Sequence, residues 1–521
     1  MKNKDVDILI VGAGASGAAA AWNLSGKNYK ILCLEQGPLL KGKSYSFNRT
    51  DWEKIKQKEF NVNPNIRKLK SDYPIDDKNS PISVANFNAV GGSTILYSGH
   101  FPRFHPSDFK TKTLDGTGDN WPFDYKDLEP FYKINDKIMR VAGISGDPAY
   151  PNIKKLESPV PLGVAGEKVA KGFNKLGWHW WPSYSAIATK NYKGLKKNSR
   201  ATVDKTYWPL AISNGVKLKP NCRVIKITLD NFGKTNGVIY LDAKNKEQFQ
   251  SASMVILACS GIGTPRLLLN SANKHFPEGL ANSSGLVGKN LMLHPLGYVE
   301  GKFSKFLGSF IGPNGCCLAS QEFYETLKEV NHKRGYTIQV LRGSGPLETA
   351  FSARKFKNLS FGKNFHKEFS QHYGRSISLA IICEDFPEEH NFVELDYENK
   401  DSGGMPGVKI NYKLSDNSKK MLSHGISRAK EVMKVIGAKS TLAFGPVRNT
   451  GWHLMGTAKM GNSKKNSVVN KFGQTHDIKN LVIVDSSIFV TSGGVNPMAT
   501  LQAIALKITD EIKRFPKRYF N

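Results

Sequence analysis

The chain has 521 residues, and its 74 Lys and Arg against 44 Asp and Glu give a formal charge of +30. With 40% hydrophobic and 23% charged residues the composition is globular, which excludes a disordered or collagen-like chain. The six cysteines form no CxxC pair, which excludes a zinc ribbon or a dithiol redox motif, and a chain of this length buries enough surface to need no disulfides.

No apolar run reaches the ~18–20 residues of a membrane helix. Met1–Asp7 has no apolar signal-peptide core, so the expectation is a cytoplasmic protein without a transmembrane segment. The basic residues are 59 Lys and 15 Arg, scattered along the chain. A nucleic-acid binder concentrates such residues on one face and favours Arg, so nucleic acid is not an expected partner. The one concentrated basic stretch is Lys190 to Arg200. The charge reads first as a Lys-rich solvated surface; a specific use would be to attract an acidic partner or a membrane surface.

The N-terminus reads as a βαβ unit. Asp7-Ile-Leu-Ile-Val-Gly12 is a continuous apolar run, the pattern of a parallel strand buried on both faces. Gly12-Ala-Gly-Ala-Ser-Gly17 follows at once, and Ala18–Leu24 reads as a helix. Lys30-Ile-Leu-Cys-Leu-Glu35 is the next strand, ending in an acid 23 residues after Gly12. In this setting GxGxxG is a dinucleotide fingerprint. Gly12 permits the tight turn, Gly14 lets a pyrophosphate approach the backbone, and Gly17 allows close packing of helix on strand. The helix N-terminus presents N–H groups to the phosphates, and Glu35 accepts from a ribose diol. The motif alone leaves FAD and NAD open.

Residues 38–88 are polar and irregular, a lid or a long loop. A second Gly-rich turn, Ala89-Val-Gly-Gly-Ser-Thr94, comes next. Helix periodicity covers 126–141. Short strands are expected at Val224–Leu229, Val238–Leu241 and Met254–Ala258. The least regular sequence lies at 307–375. Order returns with the strand Leu481–Asp485 and a helix Ala499–Lys513, whose apolar face is Leu501, Ile504, Ala505, Ile508 and Ile512.

Five ordered blocks then carry a resemblance. They are Ala89 to Gly99, Gly261 to Ser271, Asn282 to Pro295, His453-Leu-Met-Gly-Thr-Ala-Lys-Met-Gly461 and Asn496-Pro-Met-Ala-Thr500. Together with the N-terminal fingerprint they resemble the glucose-methanol-choline (GMC) oxidoreductases over about residues 5–515. Phe101-Pro-Arg-Phe-His-Pro-Ser-Asp-Phe109, Trp121-Pro-Phe-Asp-Tyr125 and Glu384-Asp-Phe-Pro387 are similar to sugar and polyol members, such as gluconate and fructose dehydrogenase flavoprotein subunits, and more distantly to pyranose oxidase.

The resemblance implies an α/β fold: a Rossmann-like FAD-binding domain interleaved with a substrate-binding β-sheet domain. Its expected parts are residues 1–300, a substrate sheet at 301–440, and a catalytic segment at 441–521 returning to the FAD side. The implied activity is oxidation of an alcohol group of a sugar, polyol or sugar acid by hydride transfer to flavin N5. His453 is the implied base, because a His titrates near working pH, and Asn496 orients the substrate oxygen. The implied cofactor site comprises Gly12, Gly14, Ala15, Ser16, Gly17, Glu35, Gln36, Gly91, Gly92, Ser93, Thr94, Val224, Ala258, Asp485, Asn496, Pro497 and Met498. No metal is implied.

Two departures carry consequences. Some relatives bind FAD covalently through a His four residues after the second Gly of the Gly-Gly turn; here that residue is Leu96, so FAD is expected to be held noncovalently. Relatives often carry cysteines in the segment matching 185–205, and this chain has none there. The rival activities are an oxidase using O₂ and a non-redox lyase of the hydroxynitrile type. The electron acceptor is left open, with a cytochrome and a small subunit as candidate partners; a signal-bearing partner would place the protein in the periplasm. Cys259 reads as packing, not as a nucleophile. The cluster Trp178, Trp180 and Trp181 reads as core or domain interface ahead of a sugar platform.

Overall fold

The apolar run near the N-terminus is the middle of a largely parallel layer. In the computed structural model, which describes residues 6–46, 51–312, 316–355, 359–360 and 362–520, Val6–Val11 pairs in parallel with Ile31–Leu34 on one side and Glu247–Leu257 on the other. Successive residues of a strand face opposite sides. Ile8, Leu9 and Ile10 are all fully buried, so both faces of the layer are covered. In spatial order the sheet runs Lys217–Lys219, Ile31–Leu34, Val6–Val11, Glu247–Leu257, Thr235–Leu241, Arg223–Leu229. Leu481–Ile483 also joins Glu247–Leu257 in parallel. The last three strands of the series, at the positions where short strands were expected, form an antiparallel meander.

The helix Ala15–Leu24 packs against the C-terminal helix Met498–Arg514. Asn23 ties them: its Nδ2 donates to the Leu506 carbonyl at 3.0 Å and to Thr509 Oγ1 at 2.8 Å, and Lys513 Nζ donates to its Oδ1 at 2.7 Å. Ile504, Ala505, Ile508 and Ile512 form the buried face, whereas Leu501 lines the cavities described below.

A second, antiparallel layer runs Ser440–Phe444, Leu296–Lys302, Ser376–Cys383, Tyr336–Leu341, Cys316–Ser320, Trp181–Pro182. Its two faces differ by strict alternation. Val299, Ile338, Val340, Leu379 and Ile381 form a core with the helices Gly163–Leu176 and Asp416–Val435. Their sequence neighbours Tyr298, Gln339, Leu341, Ala380 and Ile382 face a cavity instead. The expected borders at 300 and 440 both fall within strands of this layer, and the strand Trp181–Pro182 reaches it from the expected FAD half. A sheet is completed by pairing, not by chain order, so the two halves interleave more finely than the blocks suggested. Trp178 stacks edge-on against Phe323 at 4.8 Å beside this layer. The indoles of Trp180 and Trp181 are bonded to Asn174 Oδ1 and the Ile144 carbonyl, and none of the three borders the cleft or the cavity described below.

Residues 51–88 are more ordered than a loop. One-turn helices at Trp52–Ile55 and Pro64–Arg67 precede a strand, Ile75–Asn79, which completes a small sheet with Phe392–Lys400 and Pro406–Asn411. The order comes from contacts that polarity hides: a buried Arg67–Asp72 pair at 2.5 Å and a stack of Phe60 on Phe87.

Candidate active site

Two glycine-rich turns meet at the C-terminal edge of the parallel strands. The helix Ala15–Leu24 starts at Gly14 with no side chain capping it, so its first N–H groups remain available to an anion. Gly17 packs so closely that a Cβ there would stand 2.1 Å from the Gly12 carbonyl oxygen. Gly92, at φ +54, lies against Gly14, and a Cβ on it would stand 2.8 Å from the Gly14 Cα. The second turn is therefore pressed onto the first.

A cleft runs from this contact along the ends of the strands. Gly12, Gly14, Ala15, Ser16, Glu35, Gln36, Gly92, Ser93, Thr94, Val224, Ala258, Asp485 and Met498 border it. Glu35 accepts the N–H groups of Ala13 and Gly37, each at 2.8 Å, and burial pushes its carboxyl up to about 7 despite those bonds. Asp485 accepts from Thr264 Oγ1 at 2.5 Å, the Ser487 N–H at 2.9 Å and Ser487 Oγ at 2.6 Å. It both caps the short turn Ser486–Ile488 and faces the cleft. Cys259 donates its thiol to the Val11 carbonyl at 3.2 Å, and burial pushes that thiol up, leaving it protonated and inert.

The cleft opens into a cavity of about 590 Å³ beneath the antiparallel layer. Ser93, Trp452, Leu454, Ser486, Met498 and Leu501 border both spaces. At this junction His453 meets two partners. Its Nδ1 lies 2.8 Å from His294 Nδ1, and its Nε2 lies 3.4 Å from Asn496 Nδ2.

These contacts fix the proton positions. His294 Nε2 faces only carbonyl oxygens, those of Gly493 at 2.7 Å and Ser492 at 3.1 Å, so this nitrogen carries the hydrogen. Burial pushes His294 down to about 4, so the ring is neutral and its Nδ1 is a lone pair. His453 Nδ1 must then donate to it. Burial, with His294 and His100 close by, holds His453 well below its ordinary value, so it too is neutral. Its Nε2 is left as a lone pair turned toward Asn496. Gln339 settles the Asn496 amide by donating to Oδ1 at 2.5 Å, which directs Nδ2 at His453. His294 itself sits at φ +50, a left-handed conformation that a non-glycine residue adopts only when its surroundings enforce it.

The family models of the N- and C-terminal parts of GMC oxidoreductases match residues 6–296 and 387–505. The chain belongs to the GMC oxidoreductase family. It is 39% identical to the 2-methyl-1,2-propanediol dehydrogenase of Mycolicibacterium austroafricanum, over 98% of this chain and 95% of that one. It is 24% identical to the fructose dehydrogenase large subunit of Gluconobacter japonicus, over 97% of each chain. The crystal structure of pyridoxine 4-oxidase from Mesorbium loti superposes with a TM-score of 0.65 at 15% identity, covering 98% of this chain and 99% of that one.

As a GMC oxidoreductase the chain is an FAD enzyme acting on alcohol groups. The cleft fits FAD: glycines admit a pyrophosphate at a free helix N-terminus, Glu35 stands one strand away for a ribose, and the far end opens beside His453. Not every implied cofactor contact lies on the cleft wall. Gly17 and Gly91 lie behind it and shape the turns, and Asn496 and Pro497 border the substrate cavity. Sequence reasoning did not single out His294, Gln339 or His100. His294 closes the block Asn282 to Pro295, and that placement was its only signal.

Proposed function

We propose that the protein is an FAD-dependent dehydrogenase of a small diol or related alcohol, with His453 as base and Asn496 holding the substrate oxygen. The observation that carries this is the pair of His453 Nε2 and Asn496 Nδ2, one acceptor and one donor 3.4 Å apart, where the FAD cleft meets the cavity. That separation is at the long limit of a hydrogen bond. A hydroxyl oxygen that replaces this contact donates to His453 Nε2 and accepts from Asn496 Nδ2.

FAD, when bound, supplies the acceptor for the hydride leaving the carbon. His453 takes the hydroxyl proton, which needs the lone pair that His294 guarantees. The imidazolium so formed keeps its Nδ1–H bond to His294, whose own N–H is anchored on two carbonyls. Asn496 Nδ2 holds the developing alkoxide, and Gln339 keeps that amide from turning over.

The cavity wall narrows the substrate. Leu96, Leu296, Leu341, Ala380, Ile382, Phe444 and Val447 make it largely apolar, and among the described residues no Lys or Arg borders it. This speaks against a sugar acid and for a small alcohol with a hydrocarbon skeleton, in line with the diol named for the Mycolicibacterium relative. Leu96, standing where some relatives carry a linking His, supports noncovalent FAD.

Anaerobic bleaching of the flavin by alcohol is the test. His453→Ala should slow it by about 10²–10⁴-fold, the usual worth of a general base, with the flavin still bound. Unchanged bleaching refutes the assignment. Peroxide yield, measured with and without a dye acceptor, separates a dehydrogenase from an oxidase.

A further inference from the structure

We infer that His100 is a second binding point in the cavity, engaging the neighbouring hydroxyl of a vicinal diol whose reacting hydroxyl lies between His453 and Asn496. This rests on the alcohol dehydrogenase reading above and goes beyond it, because nothing in that reaction uses His100.

Several of the cavity's polar groups are already committed within the protein. Tyr298 Oη is bonded to Ser378 Oγ at 2.7 Å, Tyr97 Oη donates to the Ala201 carbonyl at 2.7 Å, and Ser486 Oγ donates to the Leu454 carbonyl at 2.5 Å. Thr450 Oγ1 donates to the Val447 carbonyl at 2.5 Å, and Gln339 is spent on Asn496. His100 borders the same cavity, yet its Nδ1 is buried without a hydrogen-bond partner. Among the described residues it is the one buried side-chain nitrogen or oxygen on this wall left so. That nitrogen is sealed within the protein, so the ring meets the cavity through its other edge, where Nε2 has no hydrogen-bond partner among the described residues and is free to take one from a ligand.

The position suits a second hydroxyl. His100 lies near enough to His453 to help depress its protonation. Burial holds His100 itself down to about 4, so at neutral pH the ring offers a hydrogen bond without a charge. That matches an uncharged hydroxyl. Much of the rest of the wall is hydrocarbon, and a mono-alcohol of the same skeleton leaves His100 unpaired. Selectivity then arises as it does wherever a site built to bond a hydroxyl meets the analogue lacking it.

The experiment compares 2-methyl-1,2-propanediol with 2-methyl-1-propanol, which share a carbon skeleton, by anaerobic flavin reduction in the holoenzyme. The wild type should favour the diol in kcat/KM by about 5–150-fold, the range for one buried hydrogen bond. His100→Leu should bring the ratio toward one, and His100→Gln, which keeps polar atoms, should restore part of it. A ratio unchanged by His100→Leu overturns the inference, and so does an equal fall on both compounds. If His100→Leu fails to hold flavin, the wild-type ratio decides, and a value near one overturns it. An enzyme that reduces its flavin with no alcohol fails the underlying reading; one that oxidises both compounds alike fails only this inference.

Discussion

Replacing His294 by Leu tests the proton order of the site at its root. The change keeps an apolar volume in place but removes the acceptor 2.8 Å from His453 Nδ1. A buried N–H left without a partner costs about 1–3 kcal/mol. In the parent that energy selects the tautomer with a free Nε2 lone pair. Without it the other tautomer competes, and its Nε2–H can take no proton from an alcohol. The barrier should rise by about the same 1–3 kcal/mol, which slows flavin reduction roughly 5–150-fold. The imidazolium also loses its partner, so the acid limb of the rate profile should move. His294→Gln places an amide oxygen within reach of Nδ1 and an amide N–H toward the Gly493 carbonyl, so it should regain part of the rate. The assay is stopped-flow bleaching at saturating alcohol, with the ratio of flavin to protein as the check on folding. A His294→Leu rate within about a factor of three of the parent would refute the tautomer argument. Equal rates for the Leu and Gln variants would refute it as well.

Two further outcomes follow from the same site. Because burial and its neighbours hold His453 well below 6.5, the base is already neutral at pH 7. Lowering the pH removes activity only when it passes that depressed value, so kcat/KM for flavin reduction should be flat from about pH 8 to 6.5 and fall well below that; an acid limb centred at or above 6.5 would contradict the geometry. Leu96 offers no atom for a flavin bond, so acid precipitation should release all the yellow colour into the supernatant, and colour retained in the pellet would show a covalent link elsewhere.

What the sequence disclosed divides along physical lines. The βαβ unit was legible because a strand buried on both faces must be continuously apolar and because the turn that follows tolerates only glycine at fixed spacing. His453 and Asn496 were legible through the company they keep in the chain. His294 was not, because its role depends on which ring nitrogen faces carbonyls 198 and 199 residues away. Gln339 was hidden for a related reason. A lone glutamine in a strand of Tyr, Thr, Ile, Val and Leu carries no pattern, and only the register Gln339↔Ala380 and Ala380↔Tyr298 brings it over the site. The order in 51–88 escaped because polar residues that pair with each other look, one at a time, like residues bound for water.

The tie of Asn23 to Leu506, Thr509 and Lys513 has a consequence for how the enzyme comes into being. Gly14 is made well before Asp485 and Met498, which lie on the same cleft. At about 5–20 residues per second, ribosomal synthesis separates Gly14 from Met498 by roughly 25–100 s. Through that interval the helix Ala15–Leu24 lacks the helix Met498–Arg514 that packs against it. The cleft wall is therefore completed only once Met498 has been made, which sets the earliest point at which the whole flavin site exists.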